Sequence, residues 1–240
     1  MQLTALHHVT AVCSDARRTV DFYRGLGFRL VKRTVNYDDP HTYHLCLGDE
    51  DGAPGTLLTF FEWRRTGRGR IGRGLVEVVG LTLPGRKEVE RVEDPDGLRL
   101  EIHPGDRLAV NHVFAHGSFG LYIGLIEDDS PLRFLPPAPQ EGMHGTGVPH
   151  HIAWRVEDDG ALEAWRSELI GRGLRPTRVF DRTYWRSVYV RMPDGLLHEL
   201  ATDGPGVTAD EPAESLGSKL ALPAWLESER SGLERMLSPV

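Results

Sequence analysis

Two histidines and one glutamate have the residue types needed to share one divalent metal ion. His8, His151 and Glu199 each lie in a short segment with strand-like composition. Two neutral imidazoles and one carboxylate neutralise part of a divalent charge and leave three coordination positions open. Such a set suits iron(II) or manganese(II) better than a closed structural zinc site. A lone histidine in a strand is more often an ordinary surface or packed residue, so the hypothesis depends on the context of all three.

Two duplicated motifs supply that context. The sequence LHHVT at 6–10 is echoed by PHHIA at 149–153, and PDGLRLE at 95–101 is echoed by PDGLLHE at 193–199. Two separate motifs repeated within one chain indicate duplication of a small unit. The same duplication raises the weight of the metal hypothesis, because the proposed ligands stand within the repeated motifs.

The elements that must position these residues form four predicted units, of which the outer two are complete. Asp15 or Ser14 can cap a helix from Ala16 to Leu26, and Gly27 can end it. The first unit is predicted as strand 5–12, helix 16–26 and strands 28–35, 43–47 and 56–61. The last unit is predicted as strand 149–156, helix 159–171 and strands 177–181, 187–192 and 196–201. The pattern of each is β-α-β-β-β.

The inner two units are predicted to be shortened. A strand at 74–83 is followed too soon by the turn at 93–97 to leave room for a helix, and 118–125 is predicted as the first strand of the third unit. The stretch 131–147 shows no obvious strands, and 220–237 is predicted as a docking helix. The fold class is therefore α+β, with repeated βαβββ units that form cupped mixed sheets. We expect an N-terminal module at 1–105, a C-terminal module at 106–204 and a tail at 205–240.

Strand alternation assigns faces to the candidate residues. Successive side chains of a strand point to opposite faces, so His8 shares a face with Thr10. His7 is predicted to lie on the face opposite to His8, and His150 on the face opposite to His151. Glu199 lies on the last strand of the last unit, where a curved sheet can bring it to His151.

The sequence resembles the hydroquinone-type ring-cleaving dioxygenases of the vicinal oxygen chelate superfamily, which also contains glyoxalases and bleomycin-resistance proteins. The similarity covers nearly the whole chain and is densest at its ends. It is carried by 6–10, 149–154, 31–34, 43–45, 55–61, 181–182, 187–189, 199–203, 216–217 and 222–226. The resemblance implies a non-haem iron(II) enzyme, or a manganese(II) enzyme, that binds an aromatic diol with O2 and cleaves the ring.

The resemblance also implies roles for eight residues. It places the metal on His8, His151 and Glu199. It places contacts to the ligands or to the substrate on five further residues, namely His7, Thr10, His150, Arg182 and Tyr189. Arg182 would stabilise an anionic substrate oxygen, Tyr189 would hydrogen-bond or protonate the substrate, and the two histidines would orient ligands or move protons. The remaining histidines are interpreted as surface or structural: His41, His44, His103, His112, His116, His144 and His198.

Two other functions of the same scaffold remain open at this point. One is a metal-dependent isomerase, epimerase, lyase or thiol transferase of the glyoxalase kind, which oxygen consumption would distinguish. The other is a resistance protein that sequesters a small aromatic compound without metal, which metal analysis would distinguish. Relatives of the resembled branch have four full units, so this chain departs from them in its inner part.

The composition of the chain limits which binding partners and which cellular compartment are expected. The net charge is -7, which argues against nucleic acid and against an acidic membrane surface. No apolar run is long enough to span a bilayer, and the first twelve residues lack the basic and apolar regions of a secretory signal. Only Cys13 and Cys46 are present, which favours a reduced, cytoplasmic protein. A homodimer is expected if the shortened units leave sheet edges uncovered.

Overall fold

The computed structural model describes residues 1–240, which form thirteen strands and three α-helices. The strands are β1 (Leu6–Cys13), β2 (Arg29–Asn36), β3 (Asp39–Gly48), β4 (Leu57–Glu62), β5 (Val76–Leu83), β6 (Glu90–Glu93), β7 (Arg99–Pro104), β8 (Ala109–His116), β9 (Leu132–Leu135), β10 (Pro149–Val156), β11 (Phe180–Asp181), β12 (Arg186–Arg191) and β13 (Leu197–Thr202). The helices are α1 (Ala16–Leu26), α2 (Asp159–Gly171) and α3 (Arg230–Met236).

The strands are divided between two mixed sheets. The outer sheet has the order β11-β12-β13-β10-β1-β4-β3-β2, so it joins the first and last units through the antiparallel pair of β1 and β10. The inner sheet has the order β6-β7-β5-β8-β9 and joins the two middle units through β5 and β8. Both sheets contain parallel and antiparallel pairs. The predicted α+β class with mixed sheets and shortened inner units is therefore confirmed.

Local sequence explains the two long helices, whose predicted bounds are confirmed. The side chain of Asp15 accepts a hydrogen bond from the Arg18 amide at the start of α1, and Asp158 does the same for Ala161 at the start of α2. Helix α1 ends at Gly27, whose φ of +103° is a left-handed conformation that favours glycine. Helix α2 is the longest of the three, and no helix combines the length and apolar character needed to cross a membrane.

One apolar core continues through both sheets. Its largest cluster includes Val9 and Leu58 of the outer sheet together with Val79 and Leu81 of the inner sheet. Each of these side chains is fully buried. The sheets are therefore packed into a common interior, and the module boundary expected near residue 105 stays a prediction.

The third unit differs from its prediction. Residues 118–125 were expected to form its first strand, but Phe119–Tyr122 form a 3-10 helix, and the first strand is β8. The side chain of Asp194 lies at this point, where it leaves no room for a Cβ at Gly117 and accepts a hydrogen bond from the Ser118 amide at 3.2 Å. That amide is therefore bonded to a side chain and not to a neighbouring strand. Strand β9 also lies within the stretch where no strand was expected.

The tail is more segmented than predicted. Instead of one helix over 220–237, a 3-10 helix at Ala224–Glu229 precedes the short α3. The tail is fastened to β2, because the amide of Ala221 donates to the carbonyl of Arg33 at 2.8 Å. The 3-10 helix follows Pro223, whose ring removes a backbone donor and favours the start of a new element.

Candidate metal centre and active site

Three side chains from three adjacent strands converge in the outer sheet. Nε2 of His151 lies 2.8 Å from Oε2 of Glu199, and Nε2 of His8 lies 3.3 Å from the same oxygen. The three donor atoms all lie within 4.8 Å of one another. Each residue is at most 5% exposed. The sequence prediction that these side chains can meet at one point agrees with this geometry, and their role as metal ligands stays a proposal.

Strand register accounts for the convergence. Strand β10 lies between β1 and β13, and Ala153 of β10 is the register partner of both His8 and Glu199. His151 lies two residues before Ala153, so its side chain points to the same face of the sheet. Parallel pairing of β10 with β13 and antiparallel pairing with β1 therefore bring the ends of the chain to one place.

The neighbours His7 and His150 lie closer to the ligands than strict alternation predicts. The pairing of β1 with β10 shifts register between Leu6 and His8, and shifts again opposite His150. Such bulges re-aim side chains and are frequent beside active sites. As a result Nδ1 of His7 lies 2.9 Å from Nδ1 of His8, and Nδ1 of His150 lies 2.8 Å from Nδ1 of His151.

These contacts fix the orientation of both candidate ligands. A proton on Nδ1 of His8 or His151 can be donated to the adjacent imidazole, which leaves the Nε2 lone pair facing Glu199. Thr10 adds a further contact, with its hydroxyl 2.9 Å from Nε2 of His151 and 2.8 Å from the hydroxyl of Thr59. His7 and Thr10 lie behind the wall of the cavity, whereas His150 lines it.

The carboxylate of Glu199 is oriented by two residues that sequence reasoning missed. Nε1 of Trp185 donates to Oε1 at 3.1 Å, and the hydroxyl of Ser187 donates to the same oxygen. Oε2 is thereby left to face the imidazoles. Ser187 and Tyr189 are two residues apart on β12, so their side chains share one face. The spacing could therefore have predicted that both face Glu199 on the adjacent strand.

The charge state of the cluster fits a divalent cation. Burial alone would raise the pKa of Glu199, but His8 and His151 hold it well below its usual range. Burial lowers the pKa of His151, and burial together with His8 lowers the pKa of His7 to about 3. At neutral pH the centre therefore offers an anionic oxygen from Glu199 and a neutral nitrogen donor from His151. A buried carboxylate needs a compensating positive charge, and a divalent ion at this point would supply it.

A cavity of about 430 Å³ opens from the centre. This volume is within the usual range for small-molecule sites. Its walls are largely aromatic and are formed by Phe61, Trp63, Phe180, Tyr184, Trp185 and Tyr189. Flat aromatic faces around a buried polar centre are suited to a flat aromatic ligand.

Arg182 and Tyr189 both line the cavity and contact each other. Nε of Arg182 donates to the hydroxyl of Tyr189 at 3.2 Å, and the guanidinium lies 5.2 Å from the centre of the Tyr189 ring. The same guanidinium reaches Asp38 at 3.0 Å, which links the connection between β11 and β12 to the turn between β2 and β3. Burial and the charge of Glu199 raise the pKa of Tyr189, so its hydroxyl keeps its proton at neutral pH.

His44 was interpreted from sequence as surface or structural, but it lines the cavity. Its Nε2 lies 3.0 Å from the hydroxyl of Thr59, and burial with the nearby His8 lowers its pKa to about 3. Alternation along β3 could have found it, because Tyr43 and Leu45 face the core and leave His44 on the opposite face.

Comparison with known proteins now identifies the class. The family model of the glyoxalase/bleomycin resistance protein/dioxygenase superfamily matches residues 5–76. The Bacillus subtilis protein MhqO, named as a ring-cleaving dioxygenase, is 33% identical, and the alignment covers 98% of this chain and 96% of that protein. The chain therefore belongs to the ring-cleaving dioxygenase family of this superfamily.

Two further relatives agree. The chlorohydroquinone/hydroquinone 1,2-dioxygenase of Sphingobium indicum is 29% identical over 99% of this chain and 97% of its own length. The crystal structure of a Bacillus subtilis protein named as a dioxygenase superposes with a TM-score of 0.91 at 30% identity, covering 99% of this chain and 97% of that one. The alignment with MhqO spans 301 positions, more than the 240 residues here, so the relative carries segments that this chain lacks.

Proposed function

We propose that this protein is a metal-dependent, extradiol-type dioxygenase that opens a hydroquinone- or catechol-like ring with O2. The ion is held by His8, His151 and Glu199, with iron(II) as the physiological metal and manganese(II) as the alternative. The observation that carries the proposal is the meeting of two imidazoles and one carboxylate in the wall of an aromatic-lined cavity. The family relationship supports the reaction class, and the hydroquinone dioxygenase among the relatives supports the substrate class.

When bound, the ion supplies Lewis-acid chemistry for an aromatic hydroxyl and dioxygen. The protein groups around it hold the ligands in one orientation. His7 and His150 keep Nε2 of each ligand histidine unprotonated through their Nδ1 contacts. The hydroxyl of Thr10 lies 2.9 Å from Nε2 of His151, next to the proposed ion. Fixed ligands of this kind need no reorganisation during the reaction.

Tyr189 and Arg182 act on the substrate oxygen. The hydroxyl of Tyr189 accepts a hydrogen bond from Arg182 and keeps its own proton to donate. A donor with a raised pKa next to a fixed cation stabilises an anionic oxygen of the substrate. Burial and His151 lower the pKa of His150 to about 2, so it stays a neutral imidazole that accepts from Nδ1 of His151 and can donate from Nε2 to an oxygen of the substrate.

The test is metal analysis of anaerobically purified protein, followed by oxygen uptake with a panel of hydroquinones and catechols. The parent should hold iron and consume oxygen with at least one member of the panel. His151→Ala should lose both properties, because a bidentate remainder binds weakly. His41→Ala, which changes an exposed histidine outside the cavity, is the matched control and should keep both.

Equal metal content in His151→Ala and the parent would end the assignment of the ligand. A loaded parent that consumes no oxygen with any diol, but isomerises or adds thiols to carbonyl substrates, would favour the glyoxalase-like alternative. A parent that holds no metal and binds aromatic compounds would favour a sequestering protein.

We also propose a homodimer. The inner sheet ends in the short edge strands β6 and β9, whose outer sides pair with no further strand. Beside β9, Phe119 packs on Phe134, and Phe119, Leu121 and Ile123 are exposed apolar side chains. Such edges and patches are usually covered. Sedimentation should show a dimer that Ile123→Asp weakens, and a monomeric parent would contradict the proposal.

A further inference from the structure

A second group of potential metal donors lies in the inner sheet, outside the cavity described above. It consists of Glu101 and His103 on β7 and His112 on β8, and their donor atoms lie within 4.8 Å of one another. Nε2 of His103 is 2.9 Å from Oε1 of Glu101, and Nε2 of His112 is 3.7 Å from the same oxygen. From the sequence, both histidines are interpreted as surface or structural residues with no role in metal binding.

The topology makes this group a counterpart of the outer centre. In the inner sheet the order β7-β5-β8 repeats the order β13-β10-β1 of the outer sheet. Gly80 of β5 is the register partner of both Glu101 and His112. Ala153 of β10 has the same relation to Glu199 and His8. Glu101 and His112 therefore occupy the positions of a carboxylate and an imidazole donor in the duplicated unit.

The third donor comes from a different place. The inner position equivalent to His151 is Val78, two residues before Gly80. His103 replaces it from β7, where it lies two residues after Glu101 and so points to the same face. The inner group is thus not a simple remnant of the duplication, because a residue outside the inherited pattern completes the set of three.

The backbone is shaped to hold His112 in this position. A Cβ at Gly80 would lie 2.4 Å from Nε2 of His112, so only glycine lets the ring lie against β5. His112 is 4% exposed, and its Nε2 has no hydrogen-bond partner. A buried ring nitrogen without a partner costs free energy unless a ligand or water satisfies it. This nitrogen faces Glu101.

Glu101 is oriented as Glu199 is. Nε of Arg91 donates to Oε2 of Glu101 at 2.9 Å, which leaves Oε1 for the two imidazoles. Arg91 is itself a positive charge near the group. Its side chain is 82% exposed, so solvent screens that charge from an ion held on the other oxygen.

We propose that Glu101, His103 and His112 form a second divalent-cation site, of the zinc class, that is separate from the catalytic centre. Two imidazoles and a carboxylate are common zinc donors, and donors at about 2.0–2.1 Å in tetrahedral geometry lie about 3.4 Å apart. The two distances to Glu101, 2.9 and 3.7 Å, bracket that spacing. His103 is 29% exposed, so solvent can fill the fourth position.

The two imidazole nitrogens and the carboxylate oxygen also determine which metal ion is preferred. Nitrogen and oxygen sites of this kind bind Zn²⁺ more tightly than iron(II) or manganese(II). An ion here ties β7 to β8 on either side of β5, in the sheet whose units lack helices. Because an ion that binds only the folded chain stabilises it, zinc at this site raises the melting temperature of the protein.

The proposal is tested with the full chain, stripped by chelator and then equilibrated with Zn²⁺. Elemental analysis after gel filtration should give two zinc ions per chain for the parent, one in the outer centre and one in the inner site. His103→Asn should hold one, and its melting temperature should gain less from zinc. Because His103 is partly exposed, this change leaves the fold intact, which circular dichroism verifies. His112→Asn should also hold one.

His116→Asn is the matched control. His116 lies on the same strand as His112 and pairs with Glu77 at 2.6 Å, but it has no third donor. It should still hold two ions. Glu199→Gln should lose the outer ion and keep the inner one. A parent with one ion that only Glu199→Gln removes would overturn the inner site and leave the proposed function standing. A parent with one ion that only His103→Asn removes would support the inner site and count against the outer centre.

Discussion

The carboxylate of Glu199 is the residue on which the outer centre depends most. It is buried, anionic and surrounded by imidazoles, and its two oxygens have different tasks. Oε1 is held by Trp185 and Ser187, while Oε2 faces His8 and His151. Groups that orient a metal ligand in this way affect binding nearly as much as the ligands do.

Trp185→Phe tests this orientation. The change removes the Nε1 donor to Glu199 but keeps an aromatic ring beside His7 and His8. Metal affinity should fall by about 10-fold to 100-fold, measured by competition with a chelator. Trp225→Phe, which alters an exposed tail tryptophan, should leave the affinity unchanged. Equal affinities of Trp185→Phe and the parent would remove Trp185 from the site.

Tyr189→Phe separates the reaction from metal binding. The hydroxyl accepts from Arg182 and is not one of the candidate donors, so the metal content should be unchanged. Loss of the proton donor should lower kcat by about 10²-fold. Tyr43→Phe, whose hydroxyl donates to Ser238 in the tail, is the control and should keep kcat. A normal kcat in Tyr189→Phe would leave the tyrosine as a wall residue.

The positions of the three candidate donors could be predicted from sequence, but those of their neighbours could not. Alternation places His8 and Thr10 on one face, and in the structure Thr10 contacts His151 while His8 contacts Glu199. It also placed His7 and His150 on the other face, and the register shifts in the β1–β10 pair bring them against the ligands instead. A bulge depends on how two distant strands pair, which no local pattern contains.

The elements of the outer units follow from local rules more closely than those of the inner units. Helices α1 and α2 have the bounds that their caps and periodicity predict. Residues 118–125 do not form the expected strand, and the Ser118 amide donates to the side chain of Asp194 at 3.2 Å and not to a neighbouring strand. That contact joins residues far apart in sequence, so propensity could not reveal it.

Helix α1 allows a paired test of its end. Gly27→Ala forces a side chain into the left-handed conformation and should cost about 1 kcal/mol of unfolding free energy. Gly25→Ala, within the same helix and with open space around its Cα, should instead stabilise by about 0.5–1 kcal/mol. Urea unfolding measures both. Shifts of the same sign would contradict the assignment of Gly27 as the end of the helix.

At the scale of the whole molecule, the tail is fixed to the outer sheet by a buried ion pair. Nζ of Lys32, on β2, contacts Glu211 and lies 2.6 Å from Asp210. Both Lys32 and Glu211 are almost fully buried, at 0% and 1% exposure of their side chains. Separating these two buried charges would cost free energy. The pair therefore holds the tail against β2.

Glu211→Ala should therefore lower the unfolding free energy by about 1–3 kcal/mol, measured by denaturant, because Lys32 keeps Asp210 as a partner. Asp21→Ala removes a comparable partner from the exposed pair with Arg17, where the side chains are 73% and 64% exposed. That control should change stability by less than about 0.5 kcal/mol. Similar small effects for both variants would show that the contact with Lys32 contributes little.

The order of strands in the outer sheet has a consequence for how the protein is made. Strand β1 emerges early from the ribosome, but its neighbour β10 and the strand β13 that carries Glu199 are synthesised long afterwards. A nascent chain must therefore keep β1 unpaired on one side until residues 149–156 of the 240 have been translated. Premature termination anywhere before residue 199 would yield a product that has His8 but lacks the complete outer set of candidate donors.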